Sequence, residues 1–227
     1  MITPHADSAQ RLAEVRARIA HAAKRAGRSS DEVRLIGVSK TIDAEDIRTM
    51  LAAGLGCYGE NRVQEALQKW PALRTSHPQT QLHLVGQLQS NKAEDAVGLF
   101  DAIHSIDRLS LVQALGKAVA KLGRAPDCFL QVSIADEPQK GGCPVPELPA
   151  LLAAARQHGL RVIGLMCVPP LGQHPAPYFA LLAELGRRFG VPRLSMGMTA
   201  DFEIAIELGA TDIRIGTALF GARAQVV

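Results

Sequence analysis

The sequence has few of the residues on which several common classes of protein depend. Aromatic residues make up 4% of the 227 residues, too few for the rows of stacked rings that bind single-stranded nucleic acid. The four cysteines are far apart, with no CxxC pair and no histidine at zinc-ligand spacing, so we interpret them as buried free thiols. The formal net charge is only +3, and the basic residues are spread along the chain. We therefore expect no nucleic-acid partner.

Long apolar runs are absent as well. No run reaches the roughly 18 residues that a membrane-spanning helix needs, and the stretch from Met1 to Ala9 contains no apolar core of a signal peptide. We expect a cytoplasmic protein that has no membrane partner. With 47% hydrophobic and 21% charged residues, the composition is that of a globular protein, which excludes wholesale disorder and collagen-like or coiled-coil repeats.

Helix-like and strand-like segments alternate along the chain. The first helix is predicted from Ser8 to Ala26, and the first strand, which is apolar and β-branched, from Arg34 to Lys40. Seven further strands are predicted over residues 57–60, 82–87, 102–107, 128–135, 161–168, 194–198 and 212–217. Helices are predicted over residues 44–53, 62–73, 91–98, 110–123, 147–158, 177–189 and 200–208. Eight strands joined by helices predict an α/β fold, a (β/α)8 barrel of the TIM type, rather than a doubly wound sheet.

The predicted barrel uses the whole chain, residues 1–227, as a single domain. No linker rich in glycine, serine or proline interrupts the alternation of helices and strands. The chain ends soon after the eighth strand, which leaves no room for a final long helix. We expect the extra helix at the N-terminus to cover that gap in the outer ring of helices. Since no second domain follows, we expect a monomer.

Lys40 is the first candidate for a functional side chain. In barrels of this type, catalytic and binding residues lie at the carboxyl ends of the strands, and Lys40 closes the buried run Leu35–Ser39. Poor solvation at that position lowers the pKa of a lysine and supplies the free amine that Schiff-base chemistry requires. The alternative is a lysine that marks the exit of the strand into solvent.

The last two predicted strands end in sequences suited to binding an anion. They read RLSMGMTAD over residues 193–201 and DIRIGTALFG over residues 212–221. Each places a glycine with a serine or threonine where the strand turns into a helix, and backbone amides at such a turn can point at a bound anion. Phosphate sites after strands seven and eight recur in this fold. An ordinary tight turn is the alternative interpretation.

Arg214 lies two residues before Gly216, so the alternation of a strand places both on the same face. An arginine inside a barrel must have an acceptor or a carboxylate partner, because it cannot lose its charge. That partner is either an acid of the chain, such as Glu60 or Asp212, or an aromatic ring nitrogen of a ligand.

A lysine amine, a phosphate-binding turn and a partner for a ring nitrogen are together the contacts that pyridoxal 5′-phosphate needs. None of the three is specific alone, but their combination on the first, seventh and eighth strands favours this cofactor.

Two histidines, His83 and His104, lie in the third and fourth predicted strands. We interpret them as hydrogen-bonded core or rim residues rather than acid–base catalysts.

Several segments of the chain resemble the pyridoxal phosphate homeostasis protein family. They are GVSKT at 37–41, YGENRVQE at 58–65, HLVGQLQSNK at 83–92, LSMGM at 194–198 and IRIGT at 213–217. The resemblance implies a barrel similar to the N-terminal domain of alanine racemase, one that holds pyridoxal 5′-phosphate as a lysine aldimine. It also implies a role in intracellular vitamin B6 homeostasis without established catalysis, with apo-enzymes as recipients of the cofactor. By position, Lys40 resembles the Schiff-base lysine, Arg214 the pyridine-nitrogen partner, Asn61 a ring-side contact, and Ser195, Gly216 and Thr217 the phosphate ligands.

Two enzymatic hypotheses are alternatives to a protein that only holds the cofactor and supplies it to apo-enzymes. A racemase needs a second acid–base group on the far side of the substrate, usually a tyrosine, yet the two tyrosines, Tyr58 and Tyr178, do not suit this role. Arginine only donates hydrogen bonds, so Arg214 would leave a pyridine nitrogen unprotonated and weaken the ring as an electron sink. The other hypothesis is an aldolase-like barrel in which Lys40 attacks a sugar phosphate, with Glu60 or Asp107 as its acid–base group.

Overall fold

Parallel strands and helices alternate through residues 4–135 and 141–221, which are the residues that the structure, a computed structural model, describes. The strands are β1 (Arg34–Val38), β2 (Cys57–Glu60), β3 (Gln81–Leu84), β4 (Ala102–Ile106), β5 (Asp127–Ser133), β6 (Cys143–Pro144), β7 (Arg161–Met166), β8 (Arg193–Met198) and β9 (Asp212–Ile215). The helices are α1 (Pro4–Arg25), α2 (Ala44–Ala52), α3 (Val63–Ser76), α4 (Ala93–Leu99), α5 (Leu109–Leu122), α6 (Leu148–Gln157), α7 (Ala176–Phe189), α8 (Phe202–Glu207) and α9 (Thr217–Phe220).

Eight of these strands close into a barrel. Around the ring they follow chain order from β1 to β5 and then through β7, β8 and β9, and every pair is parallel. The ring closes where β9 pairs with β1, with Arg34 opposite Asp212 and Ile36 opposite Arg214. The short strand β6 pairs only with the end of β5 and lies outside the ring. The predicted TIM-type barrel is confirmed.

Helix α1 covers the seam between the first and the last strand. Its buried face carries Leu12, Val15 and Ile19, and the helix packs against α2, α8 and α9. The guanidinium of Arg11 donates through Nε to the carbonyl of Leu219 in α9 at 2.7 Å, which joins the first helix to the last one. The predicted role of the N-terminal helix is therefore confirmed.

Six of the eight predicted strands extend too far at their carboxyl ends, whereas the strands ending at Glu60 and Met198 end as predicted. The third strand was expected to continue to Gln87, but β3 ends at Leu84, because the amides of Val85 and Gly86 both donate to the carbonyl of Glu60. The chain turns there to cover the end of β2. Strand β6 was not predicted, because it is two residues long and contains Pro144.

Most of the apolar core lies between the strands and the helices, where large side chains such as Trp70, Phe100 and Phe179 are fully buried. Inside the barrel, a smaller apolar cluster of Ala102, Phe129 and Met166 leaves space for polar side chains. All four cysteines are free and buried, as predicted. In the described parts of the chain, no helix combines the length and the apolar character that crossing a membrane requires.

Candidate functional site

Lys40 lies in a sharp turn at the mouth of the barrel, by which we mean the carboxyl ends of the eight barrel strands. The turn follows β1, and its next residue, Thr41, has a φ of 62°, in the left-handed region that side chains with a Cβ rarely adopt. Two groups of α3 stabilise this conformation. The carboxylate of Glu65 accepts from the amide of Thr41 at 2.6 Å, and the ammonium of Lys69 donates to the carbonyls of Ser39 and Ile42. The half-buried Lys40 is thus part of a fixed turn.

Glu60 stabilises the same turn from the helix side of the sheet. Its Oε1 atom accepts from the hydroxyl of Ser39 at 2.7 Å and from the indole of Trp70 at 3.0 Å, and it lies 2.9 Å from the ammonium of Lys69. The carboxylate is fully buried, and its Oε2 atom has no hydrogen-bond partner among the described residues. Because these contacts direct Glu60 toward α3, the carboxylate serves the packing of the turn rather than acid–base chemistry at Lys40.

Asn61 follows β2 and lies at the level of Lys40. The register of β1 and β2 places Val38 beside Gly59, and both Lys40 and Asn61 come two residues later. Asn61 is fixed by a close approach of two backbones, since a Cβ on Gly86 would lie 2.3 Å from the carbonyl oxygen of Asn61. Only glycine fits at position 86, and this absence of a side chain allows the end of β3 to support Asn61.

Arg214 lies deeper in the barrel, opposite Ile36 of β1, and its side chain is almost completely buried. Its Nη1 atom donates to the hydroxyl of Ser195 at 2.7 Å, and Nη2 donates to the backbone carbonyl of Cys167 at 2.9 Å. No carboxylate of the described residues forms a salt bridge with it. Asp212 pairs with Arg193 instead, and Glu60 with Lys69. The suggested structural salt bridge to either acid is therefore wrong.

Two buried histidines extend the polar contacts of Arg214. Nδ1 of His104 lies 2.8 Å from the hydroxyl of Ser195, and Nε2 of His104 lies 3.0 Å from Nδ1 of His83. The ring of His104 also stacks on Phe129, with 4.1 Å between the ring centroids. Our interpretation of both histidines as hydrogen-bonded core residues is confirmed.

The electrostatic surroundings keep these groups in defined protonation states. Burial lowers the pKa of His83 to about 4 and that of His104 well below its usual value, so both rings are neutral near pH 7. Burial also lowers the pKa of Arg214, whose guanidinium nevertheless stays protonated at neutral pH. Of the three groups, Arg214 alone is therefore charged at neutral pH, beside two neutral imidazoles.

Gly216 and Thr217 lie where β9 turns into α9. The register with β1 places Gly216 beside Val38, so this turn is next to the one that carries Lys40. Thr217 is exposed and is the first residue of α9, where amide groups have no partner within the helix. The turn thus offers a hydroxyl and backbone N–H groups to an anion near Lys40.

Ser195 is not at that turn. It lies inside β8, opposite Asp212 of β9, and its fully buried hydroxyl contacts Arg214 and His104. These contacts favour a role beside Arg214 over a contact with a phosphate at Gly216. The half-buried Thr199, which directly follows β8, is closer in level to Gly216, because Met198 pairs with Arg214. The sequence alone does not reveal the level of Thr199 or the contact of Ser195 with His104, since both depend on the register of β8.

A cavity of about 370 Å³ opens at the mouth on the side of β2, β3, β5 and β7. Its lining includes the amide side chains of Asn61, Gln87 and Gln131, together with the apolar side chains of Met166 and Val168. Lys40, Arg214, Gly216 and Thr217 are outside its lining and border the mouth on the side of β1 and β9. A larger cavity, of about 860 Å³, lies at the opposite end of the barrel, far from these residues.

The mouth therefore brings together Lys40, Asn61, Gly216 and Thr217, with Arg214 beneath them. Such a set can hold a small anion that also carries an acceptor for the guanidinium. A ligand with an aldehyde, a ring nitrogen and a phosphate would match the amine, the guanidinium and the turn, respectively.

The residues 11–224 match the family model described as alanine racemase, N-terminal domain. The pyridoxal phosphate homeostasis protein of Aquifex aeolicus is 41% identical over 227 residues, covering 96% of this chain and 99% of that protein. The protein of the same name from Pseudomonas aeruginosa is 44% identical over 222 residues, with 95% of each chain covered.

Solved structures of similar proteins agree with these sequence matches. PipY of Synechococcus elongatus, determined with PLP bound, has a TM-score of 0.81 and 39% identity, and the match covers 94% of this chain and 100% of that chain. The structure of PipY without PLP has a TM-score of 0.82. Alanine racemase of Clostridium difficile is similar in fold alone, with 12% identity and a TM-score of 0.68 over 86% of this chain and 53% of that chain.

Proposed function

Because this chain belongs to the pyridoxal phosphate homeostasis protein family, we propose that it binds pyridoxal 5′-phosphate at the mouth of the barrel. In this proposal the protein holds the cofactor, takes part in vitamin B6 homeostasis and supplies apo-enzymes, without catalysing a reaction of its own. The relatives that carry the name of homeostasis proteins support this function, as does the structure of PipY with PLP bound.

The observation that carries the proposal is the buried guanidinium of Arg214. A buried cation is normally paired with a carboxylate, yet the described contacts of Arg214 are one hydroxyl and one carbonyl. The guanidinium has five N–H donors, so it can still donate to a ligand atom with a lone pair. The nitrogen of a neutral pyridine ring is such an atom, because its lone pair can accept a hydrogen bond from the guanidinium.

The other residues of the mouth suit the remaining parts of this ligand. When bound, pyridoxal 5′-phosphate supplies an aldehyde that a primary amine can capture, and Lys40 is the lysine of the fixed turn. The hydroxyl and the amide of Thr217, with the amide of Gly216, would hold the phosphate through charge-assisted hydrogen bonds. Asn61 would contact the side of the ring. Ser195 would act through Arg214.

The positions of the two tyrosines disfavour a racemase. Tyr58 is fully buried and packs against Trp70 of α3, on the helix side of the sheet, and burial raises its pKa. Tyr178 of α7 donates its hydroxyl to Gln173. These contacts disfavour both tyrosines as the second acid–base group, a role that a tyrosine usually fills.

Visible absorption tests the proposal directly. We expect the purified protein to become yellow with pyridoxal 5′-phosphate, because capture of the aldehyde by an amine gives a visible band. Lys40→Ala should lose the band, whereas Lys121→Ala, which removes a surface lysine paired with Glu94, should keep it. A wild-type protein that stays colourless, or a Lys40→Ala protein with an unchanged band, would contradict the proposal.

Catalysis requires a separate measurement. The loaded protein should produce no D-isomer when it is incubated with L-amino acids, and the cofactor should pass to an added apo-enzyme faster than it is released into buffer. Multiple turnovers to a D-amino acid would show that the protein is an enzyme. The single domain over residues 1–227, the monomeric state and the cytoplasmic location stay predictions.

A further inference from the structure

Four polar side chains form one hydrogen-bonded chain across the barrel interior. They come from β3, β4, β8 and β9, and none is more than 6% exposed. In order, the chain runs through His83, His104, Ser195 and Arg214, with links of 3.0, 2.8 and 2.7 Å. The residues are far apart in sequence, since His104 and Ser195 are separated by 91 positions. We call these four residues the interior chain.

The direction of every hydrogen bond in the interior chain follows from the arginine at its end. A guanidinium only donates, so the hydroxyl oxygen of Ser195 is an acceptor from Arg214. The hydroxyl proton of Ser195 then has Nδ1 of His104 as its acceptor among the described residues. If His104 donated instead, this hydroxyl proton would be buried without an acceptor in the described parts of the chain.

The tautomers of both histidines follow from this direction. With Nδ1 of His104 accepting from Ser195, the ring proton of the neutral imidazole is on Nε2. That Nε2–H donates to Nδ1 of His83 at 3.0 Å, so His83 also carries its proton on Nε2. Burial keeps both rings neutral, because it lowers the pKa of each below its usual value.

We propose that Ser195, supported by His104 and His83, is a positioning residue that fixes the orientation of the Arg214 guanidinium toward the ring nitrogen of the ligand. The identity of the ligand rests on the proposed function, whereas the assignment of the tautomers rests on the hydrogen bonds of the interior chain alone. A carboxylate at position 195 would also hold the guanidinium, but it would neutralise its charge and compete for its donors. A neutral hydroxyl, itself held in place by His104, orients the group and leaves its charge for the ligand.

Nitrogen-15 NMR of the histidine rings tests the direction of the interior chain without any ligand. In the wild-type protein at neutral pH, we expect His83 and His104 to be neutral, with the proton on Nε2 in both. Comparison with His83→Gln identifies the signals of His83, and comparison with His104→Gln identifies those of His104 among the seven histidines. A proton on Nδ1 of either ring, or a positively charged ring at pH 7, would overturn the assigned direction.

Ser195→Ala tests the coupling to Arg214, and Ser105→Ala is its matched control. Ser105 is also a fully buried serine on a barrel strand, next to His104, but its hydroxyl has no hydrogen-bond partner among the described residues. We expect Ser195→Ala to weaken the binding of pyridoxal 5′-phosphate about tenfold, as for the loss of one hydrogen bond to a charged group. The absorption maximum of the bound cofactor should also shift. Ser105→Ala should change neither property, and Ser195→Thr, which keeps the hydroxyl, should restore both.

An analogue of the cofactor in which carbon replaces the ring nitrogen makes the test specific. The wild-type protein should bind pyridoxal 5′-phosphate more tightly than this analogue, and Ser195→Ala should remove most of that preference. If the wild type binds the cofactor but Ser195→Ala binds it equally well, the positioning role is wrong while the proposed function stands. If the wild type binds no cofactor, the proposed function fails, and the NMR result still decides the direction of the interior chain.

Discussion

Buried charges at the base of the barrel and the buried guanidinium near its mouth differ in their partners. At the base of the barrel, by which we mean the amino ends of its strands, every aspartate of the strand starts contacts an arginine. Asp212 binds Arg193 and lies 3.7 Å from Arg34, Asp101 binds Arg74 and Arg124, and Asp127 binds Arg161. At the mouth, the buried guanidinium of Arg214 has no carboxylate partner among the described residues.

This difference separates charges that stabilise the fold from a charge that is available to a ligand. In barrels of this type, the base contributes stability and the mouth contributes binding. A buried ion pair is costly to break, because removal of one partner leaves the other charge without compensation. A buried charge without a carboxylate partner is not neutralised within the protein, and at the mouth a ligand can supply further acceptors for it. The comparison predicts opposite results for substitutions at the two ends.

The largest effect is expected from Asp212→Asn at the base. This carboxylate is fully buried and accepts two hydrogen bonds from Arg193, while Arg34 and Thr211 also contact it. We expect the free energy of unfolding to fall by about 3 kcal/mol, somewhat below the value for a fully buried pair because the two arginines are partly exposed. Urea denaturation followed by circular dichroism measures this. A loss below about 1 kcal/mol would mean that the base does not depend on its ion pairs.

The pH dependence of the free energy of unfolding tests whether His83, in the barrel interior, is neutral in the folded protein. The pKa of His83 is lowered to about 4 in the folded protein, while an unfolded histidine titrates near 6.5. Between these values the unfolded chain binds more protons, so stability is complete above about pH 6.5 and is lost as the pH falls. We expect a loss of about 2 kcal/mol between pH 6.5 and pH 5 from His83 alone. His83→Gln should remove this part of the slope in urea denaturation, and an unchanged slope would show that His83 is not the cause.

Arg214→Met is the counterpart of the Asp212 substitution at the mouth. It removes a buried charge that has no carboxylate partner, although it also removes hydrogen bonds to Ser195 and to the carbonyl of Cys167. We expect the free energy of unfolding without cofactor to change by no more than about 1 kcal/mol. Retention of pyridoxal 5′-phosphate, measured by its absorbance after gel filtration, should nevertheless fall. A loss of stability as large as that of Asp212→Asn would end the distinction between the two ends.

The smallest effect is expected from Arg161→Ala, also at the base. The side chain of Arg161 is 63% exposed, although Nη2 of its guanidinium lies only 2.6 Å from Oδ1 of Asp127. Exposed ion pairs contribute little, so we expect a loss of about 0.5 kcal/mol or less by urea denaturation. This variant therefore separates burial from pairing as the source of stability at the base. A loss comparable to that of Asp212→Asn would show that pairing alone is sufficient.

Much of the fold could be predicted from the sequence, because alternation of apolar segments determines which segments become strands and which become helices. The alternation of β9 also placed Arg214 on the inner face, since side chains alternate along a strand regardless of its partners. The ends of β3 and β5 could not be predicted, because they depend on contacts such as that of Gly86 with the carbonyl of Glu60.

The candidate site could be predicted only where its residues adjoin a strand end. Lys40 and Gly216 are visible in the sequence for this reason, and the structure places them at neighbouring turns. The position of Ser195 depends on the register between β8 and β9, which is irregular between Ser195 and Met198. Gly197, with a φ of 93°, lies in this irregular stretch, and no pattern of hydrophobic residues reports such a shift.

The closure of the ring between β1 and β9 has a consequence for how the protein is made. The strand that carries Lys40 at its end leaves the ribosome long before Asp212 and Arg214, with which Arg34 and Ile36 pair. Until then β1 has one unpaired edge, and α1 lacks α8 and α9 as packing partners. Pairing of such distant segments is slow, because a long loop must close before any contact compensates for the lost entropy. The turn at Lys40 and the guanidinium beneath it can therefore reach their final relative positions only once β9 has paired with β1.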